Sequence, residues 1–160
     1  MSGFPENVIE AVQASLATHF TVEDGYTVLT RPVRFEDPDK TITVFANEWV
    51  PQQEASAQIG QREPALATYT FRIQNYRKVA NREVGRELAA IDAKIMRGIL
   101  YRDANLALAL GALTETLLGS RETFKRMGLS RTRYLNNDVN RIFVCLNTTD
   151  MWVETETVQL

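Results

Sequence analysis

The sequence has few of the residues on which most catalytic and metal sites are built. Its 160 residues include one cysteine and one histidine, so the chain offers no internal disulfide, no thiolate cluster and no His pair for a catalytic metal. The motifs HExxH, CxxC, GxxxxGK[ST] and GxGxxG do not occur either. The sequence therefore predicts no catalytic residue, no metal site and no cofactor. A carboxylate-only hydrolase stays open, because two acids can converge in space without any sequence signature.

The single histidine and the single cysteine both fit structural roles. His19 falls where the first helix is expected to end, and a helix C-terminus stabilises an imidazolium. We interpret it as an end-of-helix residue rather than a catalytic base. Cys145 lies between Val144 and Leu146 in a strand-like run, which is typical of a small buried side chain rather than a reactive thiol. The sequon-like segment 147–149 is interpreted as part of a turn.

Charge and hydropathy exclude further classes of protein. Lys plus Arg number 18 and Asp plus Glu number 20, so the net charge is −2. That balance argues against a dedicated nucleic-acid or membrane-surface binder, which needs a strongly basic face. The longest apolar stretch, residues 106–118, is interrupted by polar residues and is shorter than the roughly 20 residues that span a bilayer. The N-terminus lacks a basic segment followed by an apolar run, so we expect a cytoplasm-like compartment and no membrane partner.

The first half of the chain predicts one helix followed by three strands. Pro5 suits the first turn of a helix that ends near 19–21, with apolar residues at helical spacing. Segments 26–35 and 41–45 are β-rich and flank a turn at 36–40, which predicts a hairpin whose Pro32 marks an edge or bulged strand. Residues 51–64 form a long polar loop suited to reach a neighbouring molecule. Residues 65–74 alternate as a strand with one face toward the core.

The second half predicts a helical block and a closing pair of strands. Asn81 caps a long helix, and its expected core stripe is Val84, Leu88, Ile91, Ile95 and Ile99 with Met96 beside it. After a break at 103–105, a second helical stripe runs through 106–117 to a cap at Gly119, and a short third helix covers 120–127. Segments 141–146 and 151–158 read as a terminal hairpin around 147–150. We expect a single α+β domain over 1–160, with a mainly antiparallel β-sheet packed against an N-terminal helix and a central helical block.

Charged residues are distributed unevenly along the chain, and fourteen of the 18 cations are arginine. Six basic residues and two acids lie in 121–141, a second basic group lies in 72–86, and the acids gather at 36–39 and 150–156. Any one of these residues also fits a solvated surface. Together, a basic and an acidic patch on one chain permit a head-to-tail contact that closes into rings. Trp152 lies on a strand that belongs either to the core or to a neighbour's sheet. The candidate interface residues are Arg72, Arg82, Arg86, Arg121, Lys125, Arg126, Arg131, Arg133, Trp152, Glu154 and Glu156.

The order and texture of these elements resemble the tail terminator proteins of long-tailed bacteriophages, small α+β proteins that form hexameric rings. The segments that carry the resemblance are 8–12, the turn at 37–38, the long loop, 69–73, the helix after Asn81, 142–144 and 152–154. It implies a structural virion protein of the tail and neck, present in the host cytoplasm during assembly. It implies a ring that caps the tail tube, ends elongation and provides the head-neck attachment surface, with no catalysis and no cofactor.

The resemblance also implies a set of partners. These are further copies of the chain, the tail tube protein, a head-neck stopper or connector protein, and DNA that passes through the central channel without specific binding. Three other interpretations remain open: another neck component such as a stopper or head-completion protein, a small α+β hydrolase with convergent carboxylates, and a nucleic-acid module built on residues 121–141.

Overall fold

The computed structural model describes residues 3–139 and 141–160. In these residues the chain forms an α+β fold in which a mostly antiparallel sheet with strand order β1-β2-β3-β6-β5-β4 is covered by helices on one face. This confirms the fold class expected from the sequence. The helices are α1 (Phe4–His19), α2 (Arg82–Arg102) and α3 (Ala104–Gly111), and the strands are β1 (Thr27–Leu29), β2 (Thr41–Pro51), β3 (Leu66–Val79), β4 (Thr114–Leu117), β5 (Ser120–Val139) and β6 (Ile142–Gln159).

The hydrophobic core lies between the helices and one face of the sheet. The helix α1 contributes the bulky side chains that its spacing predicts, and β2, β3 and β6 meet them with residues that alternate along each strand. Removing one such side chain from water stabilises the fold by roughly 1.5–3 kcal/mol. On these four elements the fully buried members are Phe4, Val8, Val12, Leu16, Ile42, Val44, Phe71, Ile73, Met151 and Val153.

Side-chain caps start both α2 and α3, and the sequence predicts the Asn81 cap and a break at 103–105. The Asn81 side chain accepts hydrogen bonds from the backbone N–H groups of Glu83 and Val84 at 3.0 and 3.2 Å. At the other end, Asp103 caps α3 through Oδ1, while its Oδ2 accepts the Ser15 hydroxyl of α1. The chain therefore breaks at Asp103 because one carboxylate starts α3 and also ties it to α1.

The predicted first hairpin is wrong. Strand β1 pairs with β2 in parallel, Thr27 opposite Thr41, so residues 30–40 form a crossover rather than a reversal. The Arg31 side chain donates to both oxygens of Asp37, which also accepts the Arg34 N–H at 2.7 Å. These hydrogen bonds fold the segment into a compact loop. The prolines of the segment have no N–H group, so they cannot donate a hydrogen bond to a neighbouring strand. The expectation of an edge position holds, because β1 is the first strand of the sheet.

The expected helical block is shorter than predicted. Helix α3 ends at Gly111, and residues 114–117 form β4, which pairs with β5 through a two-residue turn at Leu118 and Gly119. Both turn residues have positive φ, 52° and 80°, as the tightest β-hairpin turns require. Gly119 therefore reverses a hairpin instead of capping a helix, and the short third helix predicted at 120–127 is part of β5.

The predicted terminal hairpin is also wrong, because residues 147–150 lie in the middle of β6. The reversal falls instead between the paired residues Val139 and Ile142. Three polar residues in the middle of β6, Asn147, Thr149 and Asp150, are buried. Two of them have hydrogen-bond partners on β5, since the Thr149 hydroxyl lies 2.8 Å from that of Thr132 and Asp150 accepts from Arg131, whereas the Asn147 amide nitrogen has no hydrogen-bond partner among the described residues.

The helix α2 turns a different face to the sheet from the one predicted. Its buried face is mainly small, with Gly85, Ala89 and Ala93 followed by Met96 and Leu100. A Cβ at Gly85 would lie 2.6 Å from a Val79 methyl carbon, so the helix approaches β3 too closely for a larger residue there. Most of the predicted core stripe points away from this contact, although Ile99 packs against the core and Met96 is fully buried. Its members Val84, Ile91 and Ile95 are exposed, and Leu88 and Ile99 are half-buried.

Candidate interaction surfaces

The face of the sheet opposite the helices, hereafter the open face, carries most of the residues expected at an interface. Strand alternation and the ladder register place nine of the eleven candidates there. The other two, Arg82 and Arg86, lie on the first turns of α2, on the helix side of the sheet. The nine on the open face are Arg72, Arg121, Lys125, Arg126, Arg131, Arg133, Trp152, Glu154 and Glu156.

Three arginines converge on one buried carboxylate at the centre of the open face. Asp150 lies 3.5 Å from Arg72 Nε, 3.2 Å from Arg131 Nε and 3.6 Å from an Nη of Arg133. The Asp150 side chain is 10% exposed, whereas the three arginine side chains are 35%, 68% and 47% exposed. We call these four residues the arginine cluster. It holds two more positive charges than negative ones.

Trp152 lies beside the arginine cluster on β6. It stands opposite Gly128, where a Cβ would be 2.6 Å from the indole ring, so only glycine lets the ring lie flat on β5. The Arg126 guanidinium covers the ring with its carbon 5.6 Å from the centroid, and it also donates to Glu154 at 3.3 Å. The tryptophan predicted as an interface residue is therefore half-buried within its own subunit.

The basic and acidic groups that are separate along the sequence lie side by side in the folded chain. The register of β5 and β6 sets Lys125 beside Glu156, Arg126 beside Glu154 and Arg131 beside Asp150, so both signs alternate on one face. The other acidic group is also paired internally, since Asp37 binds Arg31 and Asp39 binds Arg77. The prediction of separate positive and negative patches is wrong, because ladder pairing joins residues that lie far apart in sequence.

The two ends of the sheet leave backbone groups without a strand partner among the described residues. Strand β4 covers only residues 120–123 of β5, and β1 covers only residues 41–43 of β2. Beyond them, the outer edge of β5 is met by the Tyr101 hydroxyl, which accepts the Leu129 N–H at 2.9 Å. From Thr132 to Val139 the ladder between β5 and β6 runs without a register shift. Residues 44–51 of β2 form the second uncovered edge.

A stripe of apolar side chains on α2 is exposed to solvent. Val84, Ile91 and Ile95 are 46%, 45% and 36% exposed, and with Leu88 they follow the four-three-four spacing of a helix-packing seam. We call these four residues the α2 stripe. Its spacing is visible in the sequence, but the sequence analysis assigned it to the core. The signal that could have corrected this is the small-residue series at 85, 89 and 93, which permits closer packing than the bulky stripe does.

The polar loop between β2 and β3 lies at the end of the sheet near the β4–β5 turn. It has no helix or ladder apart from the bridge between Gln58 and Arg62, as expected. Glu54 fixes its base by accepting the N–H groups of Ala65 and Leu66. Between the loop and the turn at Leu118 lies an open groove of about 870 Å³.

The buried ionisable groups form structural networks. Asp92 accepts the Tyr26 hydroxyl and a guanidinium N–H of Arg77 at 2.8 and 3.1 Å, and burial followed by this hydrogen bond raises the pKa of Tyr26 to about 12. The carboxyls with a shifted pKa are shifted downward: the Arg31 hydrogen bond holds the pKa of Asp37 at about 2, and the Ser15 hydroxyl lowers the pKa of Asp103. Neither is the raised carboxyl pKa that a general acid needs.

The described residues contain no group of three or more His, Cys, Asp and Glu side chains placed to hold a metal ion. Cys145 is buried as expected, and burial raises its thiol pKa. None of the described helices is both long enough and apolar enough to cross a membrane.

Comparison with known proteins adds no family to this description. The sequence matches no protein-family model and no curated protein.

Proposed function

We propose that this chain is a structural ring subunit that caps a phage tail tube, ends its elongation and provides the surface to which the head's neck attaches. The proposed role at the tail and the neck rests on the resemblance to tail terminator proteins. The observation that carries the ring is the pair of uncovered edges at opposite ends of one sheet, on β2 and β5.

An uncovered strand edge presents rows of N–H and C=O groups that a strand of another chain can bind. The β5 edge and the β2 edge are different surfaces, so joining one to the other is a heterologous contact. Repeated contacts of this kind close into rings when the rotation permits. At about 3.3 Å per residue, the eight residues 132–139 offer an edge of roughly 26 Å. Ring formation then needs no charge separation, which the fold does not have.

In such a ring the strand edges contact neighbouring copies, so the other surfaces are left to bind other proteins. The α2 stripe lies on the helix side and the polar loop lies at one end of the sheet. An exposed apolar seam is a natural contact for a different protein, such as the tube or a neck component. Which of these proteins the ring binds distinguishes a tail terminator from a stopper or head-completion protein.

Proline substitutions at two consecutive residues of β5 test the edge contact. Neighbouring N–H groups of a strand point to opposite sides, so in Tyr134→Pro and Leu135→Pro one proline removes a bond to β6 and the other removes an outer-edge donor. We expect one variant to lose stability, by about 3 kcal/mol. The other should stay folded by circular dichroism and lose closed rings in negative-stain microscopy. A folded variant that forms rings as the unmodified chain does would contradict the edge contact.

A further inference from the structure

The arginine cluster has more positive charge than its own carboxylate can neutralise. Three guanidinium groups share Asp150, and only Arg131 comes within hydrogen-bonding distance with suitable geometry. Arg72 Nε and Asp150 Oδ1 are buried and have no hydrogen-bond partner among the described residues. Asp150 therefore acts as an anchor that gathers the three arginines, and their outward N–H groups stay available to another anion.

The surroundings of the cluster are polar and are suited to extend an anion site. Along β3, Thr70 and Gln74 flank Arg72 on the open face, and along β6 the flanking residues are Thr148 and Trp152. The hydroxyl and amide groups of such side chains are common phosphate contacts. Further along β5 toward β4, Arg126 and Lys125 are paired with Glu154 and Glu156, so the surplus charge of the open face is concentrated at the cluster and at Arg121.

We propose that the open face binds the phosphate backbone of nucleic acid through the arginine cluster, without base selectivity. The proposal deepens the function proposed above, on which it rests for the source of the DNA, and it names the surface that the DNA touches. It keeps the expectation that DNA is not bound specifically, and it adds a non-specific contact to the phosphate backbone. Because the whole chain has a net charge of −2, any such affinity must come from a local surface.

An acidic protein segment is the competing occupant, and the geometry favours phosphate. A protein partner usually needs an apolar anchor in a pocket or a strand edge to bind. The cluster lies on β3, β6 and β5, with β6 central among them and its edges paired on both sides. The nearest large aromatic ring, Trp152, is already covered by Arg126. The open face does carry an apolar pocket, lined in part by Phe35, Leu135 and Leu146, but it lies next to the cluster rather than within it. The cluster itself offers surplus charge without such an anchor, which suits a phosphate backbone, whose affinity comes from charge.

The test is the binding of a fluorescently labelled short DNA duplex to the full chain by anisotropy over a series of salt concentrations. The variant Arg131→Gln/Arg133→Gln removes two cluster cations, and the control Arg82→Gln/Arg86→Gln removes the same charge from α2, away from the open face. Each lost phosphate contact lowers the salt slope by about one, so the cluster variant should lose about two from the slope and about tenfold in affinity at low salt. The control should stay within about twofold.

A third variant separates binding from folding. Asp150→Asn raises the surplus charge of the cluster from two to three and removes its anchor. The proposal predicts tighter DNA binding with a lower Tm, whereas a purely structural role for the cluster predicts a lower Tm with no gain in binding. This outcome cannot be mistaken for partial unfolding, which weakens binding.

Several results would overturn the proposal. These are no DNA binding at low salt, equal loss of binding in the cluster and control variants, and capture of polyglutamate with no capture of DNA. The measurement is made at concentrations where sedimentation shows single subunits, so it does not depend on ring formation. If DNA binds as predicted but rings never form, the ring function fails alone, and if rings form without DNA binding, the phosphate site fails alone.

Discussion

The helices α1 and α2 lie on the same face of the same sheet but use their apolar residues in opposite ways. In α1 the bulky stripe faces inward, and Val8, Val12 and Leu16 are fully buried. In α2 the inward face is small until Met96 and Leu100 near its C-terminal end, and the α2 stripe faces solvent. Helical spacing therefore predicts a helix reliably, while the buried face is decided by how closely the helix approaches the sheet.

The largest expected effect comes from the core of α1. Leu16 is 0% exposed and lies within the main core cluster, so Leu16→Ala leaves a cavity in a close-packed interior. We expect a loss of about 3–4 kcal/mol in the free energy of unfolding, measured by urea denaturation. A loss below about 1 kcal/mol would show that the bulky stripe of α1 does not anchor the helix to the sheet, and α1 would then not differ from α2 in this respect.

The second prediction concerns the close approach of α2. Gly85→Ala places a methyl group 2.6 Å from a Val79 carbon and 3.1 Å from Cys145 Sγ, whereas Gly98→Ala, in the same helix, meets no atom within 4 Å. We expect Gly85→Ala to destabilise the fold by about 1–2 kcal/mol, because the overlap exceeds the gain in helix propensity. The matched Gly98→Ala should stabilise it by roughly 0.5–1 kcal/mol. Equal effects of the two variants in thermal denaturation would show that the small face of α2 does not pack closely against β3.

The third prediction concerns the carboxylate that joins the helices. Hydrogen bonds from the Ser15 hydroxyl and from backbone N–H groups lower the pKa of Asp103 in the folded state. Its stabilising contribution is therefore complete above the unfolded pKa of about 4 and is lost as the pH falls toward the lower folded value. Asp103→Asn keeps a capping side chain but cannot titrate, so its Tm should fall less than that of the unmodified chain between about pH 5 and pH 3. Identical acid profiles would contradict this assignment.

The smallest expected effect on stability comes from the α2 stripe. Ile91 is 45% exposed, so Ile91→Ala should change the free energy of unfolding by at most about 0.5 kcal/mol, in contrast to Leu16→Ala. Because we propose that the stripe contacts tube or neck protein, the same variant should weaken binding of the ring to that protein in a pull-down. A loss of stability as large as that of Leu16→Ala would mean that the stripe is part of the core.

The parts of the fold that the sequence predicts well are set by local chemistry. Pro5 and the spacing of α1, the Asn81 cap, the break at Asp103 and the alternation of β3 all act within a few residues. The parts that it predicts poorly depend on distant partners. Strand β5 was assigned in part to a helix because its bulges, between Phe124 and Arg126 and between Leu129 and Thr132, break the two-residue period.

The candidate site shows the same division. Sequence reasoning selects eleven residues from the uneven distribution of charge and from Trp152, and nine of them share the open face. It could not see that Arg72 and Arg131 meet at Asp150, since their proximity depends on the order of β3, β6 and β5. It also missed the uncovered edge of β5, because β4 was expected to be helical.

The central claim is that copies of this chain join edge to edge and form a closed ring. Native mass spectrometry of the purified chain, alone and with tail tube protein, tests it most directly by counting subunits. The account predicts one discrete assembly of fixed copy number that negative-stain images show as a closed ring. A monomer under both conditions, or a ladder of open oligomers without a preferred size, would contradict it.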